Sequence, residues 1–246
     1  MIGFRAVLVA ALLATSLILP SNAPAGEATD KTAVEQIVRE YLLANPEIIV
    51  EAMAVLRERE RVAEATESEQ SINDHYESLT RSPDDPVAGD PDGDVVIVEF
   101  FDYRCPYCKR VVEPLMKAVE DDGNIRLVFK EYPILGPESA FAARAALAAN
   151  KQGKYTELHV ALMSGEGQLT EANVFKIAKS VGLDTDQLRS DMDDPEIERQ
   201  IAANYALANV LGIKGTPAFV IGRELVPGAI DMQRMKRYIA QARGES

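Results

Sequence analysis

The chain has only two cysteines, Cys105 and Cys108, and they stand three apart as Cys105-Pro106-Tyr107-Cys108. Two thiols at this spacing can exchange a disulfide. The first attacks a disulfide sulfur as a thiolate, and the second reaches back one helical turn to close an internal bond. The same pair could be half of a zinc site or a static disulfide. Zinc needs four ligands, and the only histidines, His75 and His159, are far apart and match no ligand spacing. A static bridge across so short a loop would constrain the unfolded chain little. Soft thiolates also suit Cu(I), so a copper-handling protein is an alternative, although the chain has no Met-rich or His-rich tract.

The elements around the pair are expected to position it for exchange. Residues 95–101 read Val-Val-Ile-Val-Glu-Phe-Phe, a β-branched and aromatic run that predicts a buried strand. Val111, Val112, Leu115, Met116 and Val119 repeat at helical spacing beyond it. Cys105 therefore falls at a helix N-terminus, where free N–H groups and the helix dipole favour a thiolate. Cys108, one turn later, is expected to be buried, with only Cys105 exposed. Residues 125–130 form the next apolar strand, completing a β-α-β unit whose strands should run parallel. Residues 139–149, 155–163, 172–181 and 195–211 read as helices. A β-β-α ending follows, with strands near 217–222 and 225–226 and a helix over 232–242.

Before this lies a different kind of sequence. Arg5, an apolar run over 6–19 and Ala23-Pro24-Ala25 fit a cleaved export signal over residues 1–25, too short to span a bilayer comfortably. A retained N-terminal anchor is the other reading. Export would place the cysteines in an oxidising compartment. Residues 32–44 and 48–56 carry helical apolar stripes interrupted by Asn45-Pro46, where Asn45 could cap the second helix and Pro46 open it. From 57 to 71 the chain keeps good helix formers, with Val62 its only large apolar residue, so a connecting helix is expected. The stripes serve either packing on the main domain or oligomerisation. Turn-rich text over 82–93 marks a boundary. The expected domains are a signal (1–25), a helical segment with linker helix (26–80) and a main domain (88–246) with a helical insertion near 137–211.

Of 246 residues, 47% are hydrophobic and 26% charged, as in a soluble globular protein. The net charge of −13 argues against nucleic acid or an anionic membrane as partner.

Val98-Glu99-Phe100-Phe101 followed by Cys105-Pro106-Tyr107-Cys108, together with Phe129-Lys130-Glu131-Tyr132-Pro133 and Gly215-Thr216-Pro217-Ala218, resembles the DsbA-like thiol–disulfide oxidoreductases. The N-terminal helices and polar linker resemble the ScsC-type branch. The resemblance implies an α/β thioredoxin fold with an inserted helical domain, preceded by an N-terminal helical oligomerisation segment. Cys105 becomes the nucleophile and Cys108 the resolving thiol. Thr216 and a cis Pro217 face them as the substrate-binding pair. Glu99 becomes a buried acid that takes the Cys108 proton, with Lys130 as its counter-charge. Pro106 and Tyr107 would tune the redox potential, and Lys109 and Arg110 are either a source of positive potential or a solvated helix face. The expected activity is that of a periplasmic oxidoreductase on protein disulfides, an isomerase assembled as a homotrimer through the N-terminal helices, as some branch members are. A monomeric DsbA-like oxidase is the alternative. No cofactor beyond the dithiol and no metal is implied. The implied partners are secreted or periplasmic cysteine-containing proteins and a membrane redox protein.

Overall fold

The computed structural model describes residues 31–245, so the expected signal lies outside the described residues. The chain divides into two compact units, with the boundary after Arg57. In the first unit, α1 (Lys31–Ala44) is followed by the start of α2 (Glu47–Asp74). The Asn45 amide donates to the Tyr41 carbonyl at 2.9 Å. Asn45 thus satisfies the end of α1, where the sequence suggested a cap for α2. Val34, Ile37, Val38, Tyr41, Leu43, Ile49, Val50, Met53, Val55 and Leu56 are exposed, and α1 buries no residue.

The second unit is built on a five-stranded sheet ordered β1-β3-β2-β4-β5. β2 (Val95–Phe101) pairs in parallel with β3 (Ile125–Glu131) and antiparallel with β4 (Ala218–Ile221). β5 (Glu224–Pro227) extends one edge and β1 (Val87–Gly89) the other. β1 lies in the stretch read from sequence as turns alone; three residues between prolines and glycines carry no usable periodicity. It ends at Gly89, φ 75°, where a Cβ would stand 2.2 Å from the Ile125 carbonyl oxygen, so only glycine fits.

Strand alternation gives the sheet two cores. Ile97, Phe101, Leu127, Phe129 and Phe219 face α4 (Pro106–Asp122) and α10 (Met232–Arg243). On the same side lies an insertion of α5 (Pro137–Asn150), α6 (Tyr155–Ser164), α7 (Glu171–Ser180) and α8 (Thr185–Asp191). Alanines 142, 143, 145, 146, 148 and 149 are all buried, which lets α5 pack closely on α6. The seven-residue α8 was not anticipated; Asp184 caps it through the N–H groups of Asp186 and Gln187. Val96, Val98, Phe100, Val128 and Val220 face the other way. There they meet Leu207 and Leu211 at the end of α9 (Pro195–Val210), Ile72 of α2 and Leu79 of α3 (Tyr76–Thr80). The end of α2 thus belongs to this core.

Candidate active site

The site forms where β2 runs out and α4 begins. Cys105 is the N-cap of α4, with φ −70° and ψ 116°, and Pro106 occupies the first turn, where its missing N–H costs nothing. The Cys108 backbone N–H points at Cys105 Sγ at 3.5 Å. Negative charge on that sulfur would therefore meet a free N–H and the positive end of the helix. Both cysteines are free thiols. The expectation that Cys105 alone is exposed is corrected: Cys105 is 4% exposed and Cys108 0%. The Thr216–Pro217 loop covers the first sulfur, and Cys105 Sγ–H donates to the Thr216 carbonyl at 3.2 Å. The Thr216–Pro217 bond is cis. Burial, and next the Glu99 carboxyl, push the Cys108 thiol far above its ordinary range. The two sulfurs are thus inequivalent although both are covered.

The approach to Cys105 is held by a residue that the sequence reading passed over. Asp102 is buried and accepts hydrogen bonds from the Arg104 N–H (2.7 Å), the Ser139 hydroxyl (2.7 Å) and the Leu135 N–H (2.8 Å). Its own carbonyl accepts the Cys105 N–H at 3.1 Å. One carboxylate thereby ties the cysteine loop to the start of α5. Its sequence signal was an acidic residue between Phe101 and Tyr103, legible only once α5 lies alongside. Pro106 is exposed. Tyr107 is 53% exposed, with the Arg110 guanidinium 4.5 Å over its ring. Lys109 donates to the Leu162 and Gly165 carbonyls at 3.3 and 3.1 Å, so it serves the end of α6.

Glu99 is buried in mid-strand, between Phe129 and Phe219 in register. Desolvation pushes its carboxyl up to about 8, and its Oε2 has no hydrogen-bond partner. Lys130 is not its counter-charge. Lys130 is in register with Phe100, one residue out of phase with Glu99, so it points through the opposite face. There it donates to the Ser78 carbonyl at 2.8 Å and pairs with the buried Asp85 carboxylate. This pair lies against a cavity of about 710 Å³ also lined by Arg81, Arg199 and Gln200, across the sheet from the sulfurs.

Glu131, two residues along β3 from the register partner of Glu99, shares the Glu99 face. Its Oε1 accepts the hydroxyls of Tyr103 (2.9 Å) and Tyr155 (2.8 Å). His159, buried among Phe101, Phe129 and Tyr155, places Nδ1 3.1 Å from the Tyr103 oxygen. Because the Tyr103 proton goes to Glu131, His159 Nδ1–H donates to Tyr103 and Nε2 is left without a partner. Burial drives His159 down to about 3, so the ring is neutral. Among the described residues no group of three or more His, Cys, Asp or Glu is placed to hold a metal ion.

Comparison with known proteins accounts for both parts of the chain. The DSBA-like thioredoxin domain matches residues 96–240, and the N-terminal domain of the copper resistance protein ScsC matches residues 30–63. A thioredoxin-like oxidoreductase from Silicibacter pomeroyi is 49% identical, over 69% of this chain and 98% of its own, with a TM-score of 0.67. A linker-deletion mutant of Proteus mirabilis ScsC is 30% identical, over 92% of this chain and 100% of its own, with a TM-score of 0.68. Na(+)/H(+) antiporter NhaA 1 of Salinispora arenicola is 30% identical over 160 residues, which are 64% of this chain. The chain spans only 24% of the length of that curated relative. With a C-x-x-C dithiol at the strand–helix turn and an ScsC-type N-terminal segment, the chain belongs to the DSBA-like thioredoxin-domain family.

Proposed function

We propose that the protein is a periplasmic disulfide isomerase that works as a homotrimer on misfolded cysteine-containing proteins. The observation that carries this reading is the apolar surface that α1 and the first half of α2 leave exposed among the described residues, in a unit separate from the dithiol. Ten large apolar side chains in water are a surface awaiting a partner. A second copy of the chain is the partner that an ScsC-type segment suggests. Several Cys105 thiols on one particle raise the effective concentration at a bound substrate and favour repeated attack over one oxidation. The export-like sequence over 1–25 supports the compartment.

In this reading Cys105 thiolate attacks a substrate disulfide. A bond forms between Cys105 Sγ and one substrate sulfur, and the other substrate sulfur leaves as a thiolate. Reshuffling ends when a different substrate thiolate displaces Cys105. In net reduction Cys108 displaces the substrate after losing its proton, and ionised Glu99, buried on the same face, accepts that proton. Thr216 and Pro217 form the surface on which an extended substrate segment lies. Tyr107, exposed between the cysteines, and Pro106 tune the dithiol. A membrane redox protein is expected to set the resting state of the pair.

Insulin reduction and mixed-disulfide trapping test the chemistry. Cys105→Ser should abolish both. Cys108→Ala should accumulate a substrate adduct through Cys105. Adduct formation through Cys108 in Cys105→Ser would overturn the assignment.

A further inference from the structure

Glu131 has no part in the chemistry described so far, yet two tyrosine hydroxyls are spent on one of its oxygens while the other is buried without a partner. One of these tyrosines, Tyr103, lies two residues before Cys105. Glu99 and Glu131 point from one sheet face and are diagonal neighbours, roughly 8 Å apart at the backbone from strand spacing and rise. Each has an unpartnered Oε2 in the same buried layer. We propose that Glu131 is a positioning residue for the thiol chemistry: held by Tyr103 and Tyr155, it governs through its own charge when Glu99 ionises, and so when Cys108 can give up its proton.

The surrounding groups leave this pair as the titrating centre of the face. His159 on α6 is neutral, and Tyr103 and Tyr155 are pushed well above their ordinary range by burial and next by the Glu131 charge. Asp102 is held by Arg104, Leu135 and Ser139. Asn204 of α9 contributes an amide to the Glu131 backbone carbonyl. From α10, Met235 and Ile239 pack on this face, while Arg243 is bound to Asp94 and Asp122. Lys130 and Asp85 lie across the sheet. Cys108 on α4 is the proton donor. Burial raises both carboxyls to about 8; at Glu131 the hydroxyls of Tyr155 and Tyr103 oppose that rise, and the charges of Asp102 and then Glu99 add to it. Two such groups lose protons in two steps that belong to the pair. Wild-type Cys108 attack should therefore gain rate over a broad, two-step pH range as Glu99 ionises.

The proposal rests on Glu99 accepting the Cys108 proton, and the test separates the two claims. The rate at which Cys108 resolves a preformed Cys105 mixed disulfide is measured against pH in the full chain. Glu131→Gln keeps an oxygen for both tyrosines and removes the second charge. It should compress the profile to one step and reach full rate about one pH unit lower. Tyr155→Phe removes a donor that favours ionised Glu131, so Glu131 stays neutral to higher pH and the full rate again comes at lower pH. This second variant serves if Glu131→Gln does not fold. A purely structural role would change the plateau or the stability and leave the profile in place. If Glu99→Gln moves the profile but neither of the other variants does, the role of Glu131 is overturned. If Glu99→Gln also leaves it unmoved, the Glu99 reading falls and this proposal with it.

Discussion

The two units spend their side chains in opposite ways. The first, within residues 31–57, leaves large apolar groups in water, while the second buries Glu99 and Glu131, each with one carboxyl oxygen unpartnered. Both arrangements carry a free-energy cost, from exposed apolar area in one and desolvated polar groups in the other. Neither is explained by stabilising its own unit. The first makes sense when a partner covers the stripe. The second makes sense when buried protons serve the thiols. Function is read from what each unit leaves uncompensated.

The largest expected effect is a double separation between the units. Cys105→Ser should end disulfide exchange and leave particle mass unchanged. Ile37→Glu with Val50→Glu should dissociate the particle and leave reduction of a small-molecule disulfide unchanged per site. A mass change in the first or loss of small-molecule exchange in the second would break the comparison. Next in size is Asp85→Ala, which leaves the Lys130 ammonium buried without its carboxylate. It should destabilise the second unit by about 3–5 kcal/mol, measured by urea unfolding, with exchange chemistry retained in the folded fraction.

The third expected effect is a pH dependence. Folded Glu99 and Glu131 hold their protons up to about 8, whereas the unfolded chain releases them near 4.5. Between those values the folded state binds more protons, so stability falls as pH rises, by about 1.4 kcal/mol per pH unit for each group at most. Glu99→Gln should make that slope shallower by one proton. An unchanged slope would show that Glu99 is ionised in the folded state at neutral pH. The smallest effect is Lys109→Ala, which frees the Leu162 and Gly165 carbonyls at the end of α6. A loss of about 1–2 kcal/mol is expected.

The contrast also explains what could be read from sequence. The thioredoxin frame was legible because 95–101 is a β-branched and aromatic run broken only by Glu99, and 111–119 repeats at helical spacing, on either side of the cysteines. The cis Thr216–Pro217 loop was legible through its resemblance to a known family. Lys130 was misassigned because adjacency to Glu99 on a neighbouring strand was weighed without the alternation that sends it to the other face. Asp102, Glu131, Tyr103 and His159 were invisible as a group, since α5 and α6 bring their partners from 24 to 56 residues away. The burial of Cys105 was missed for the same reason: the covering carbonyl of Thr216 comes from 111 residues downstream. The exposed stripe was legible as a stripe, but periodicity cannot distinguish a face packed on its own domain from one left open.

The central claim is that the open stripe assembles several dithiols for reshuffling. It is tested most directly by light scattering run beside reactivation of scrambled ribonuclease, comparing wild type with Ile37→Glu/Val50→Glu. The account predicts a wild-type particle of three chains, a single-chain variant, and a fall in isomerase rate of about 10-fold or more in the variant. A wild-type particle of one chain, or a dissociated variant with undiminished reactivation, would contradict it.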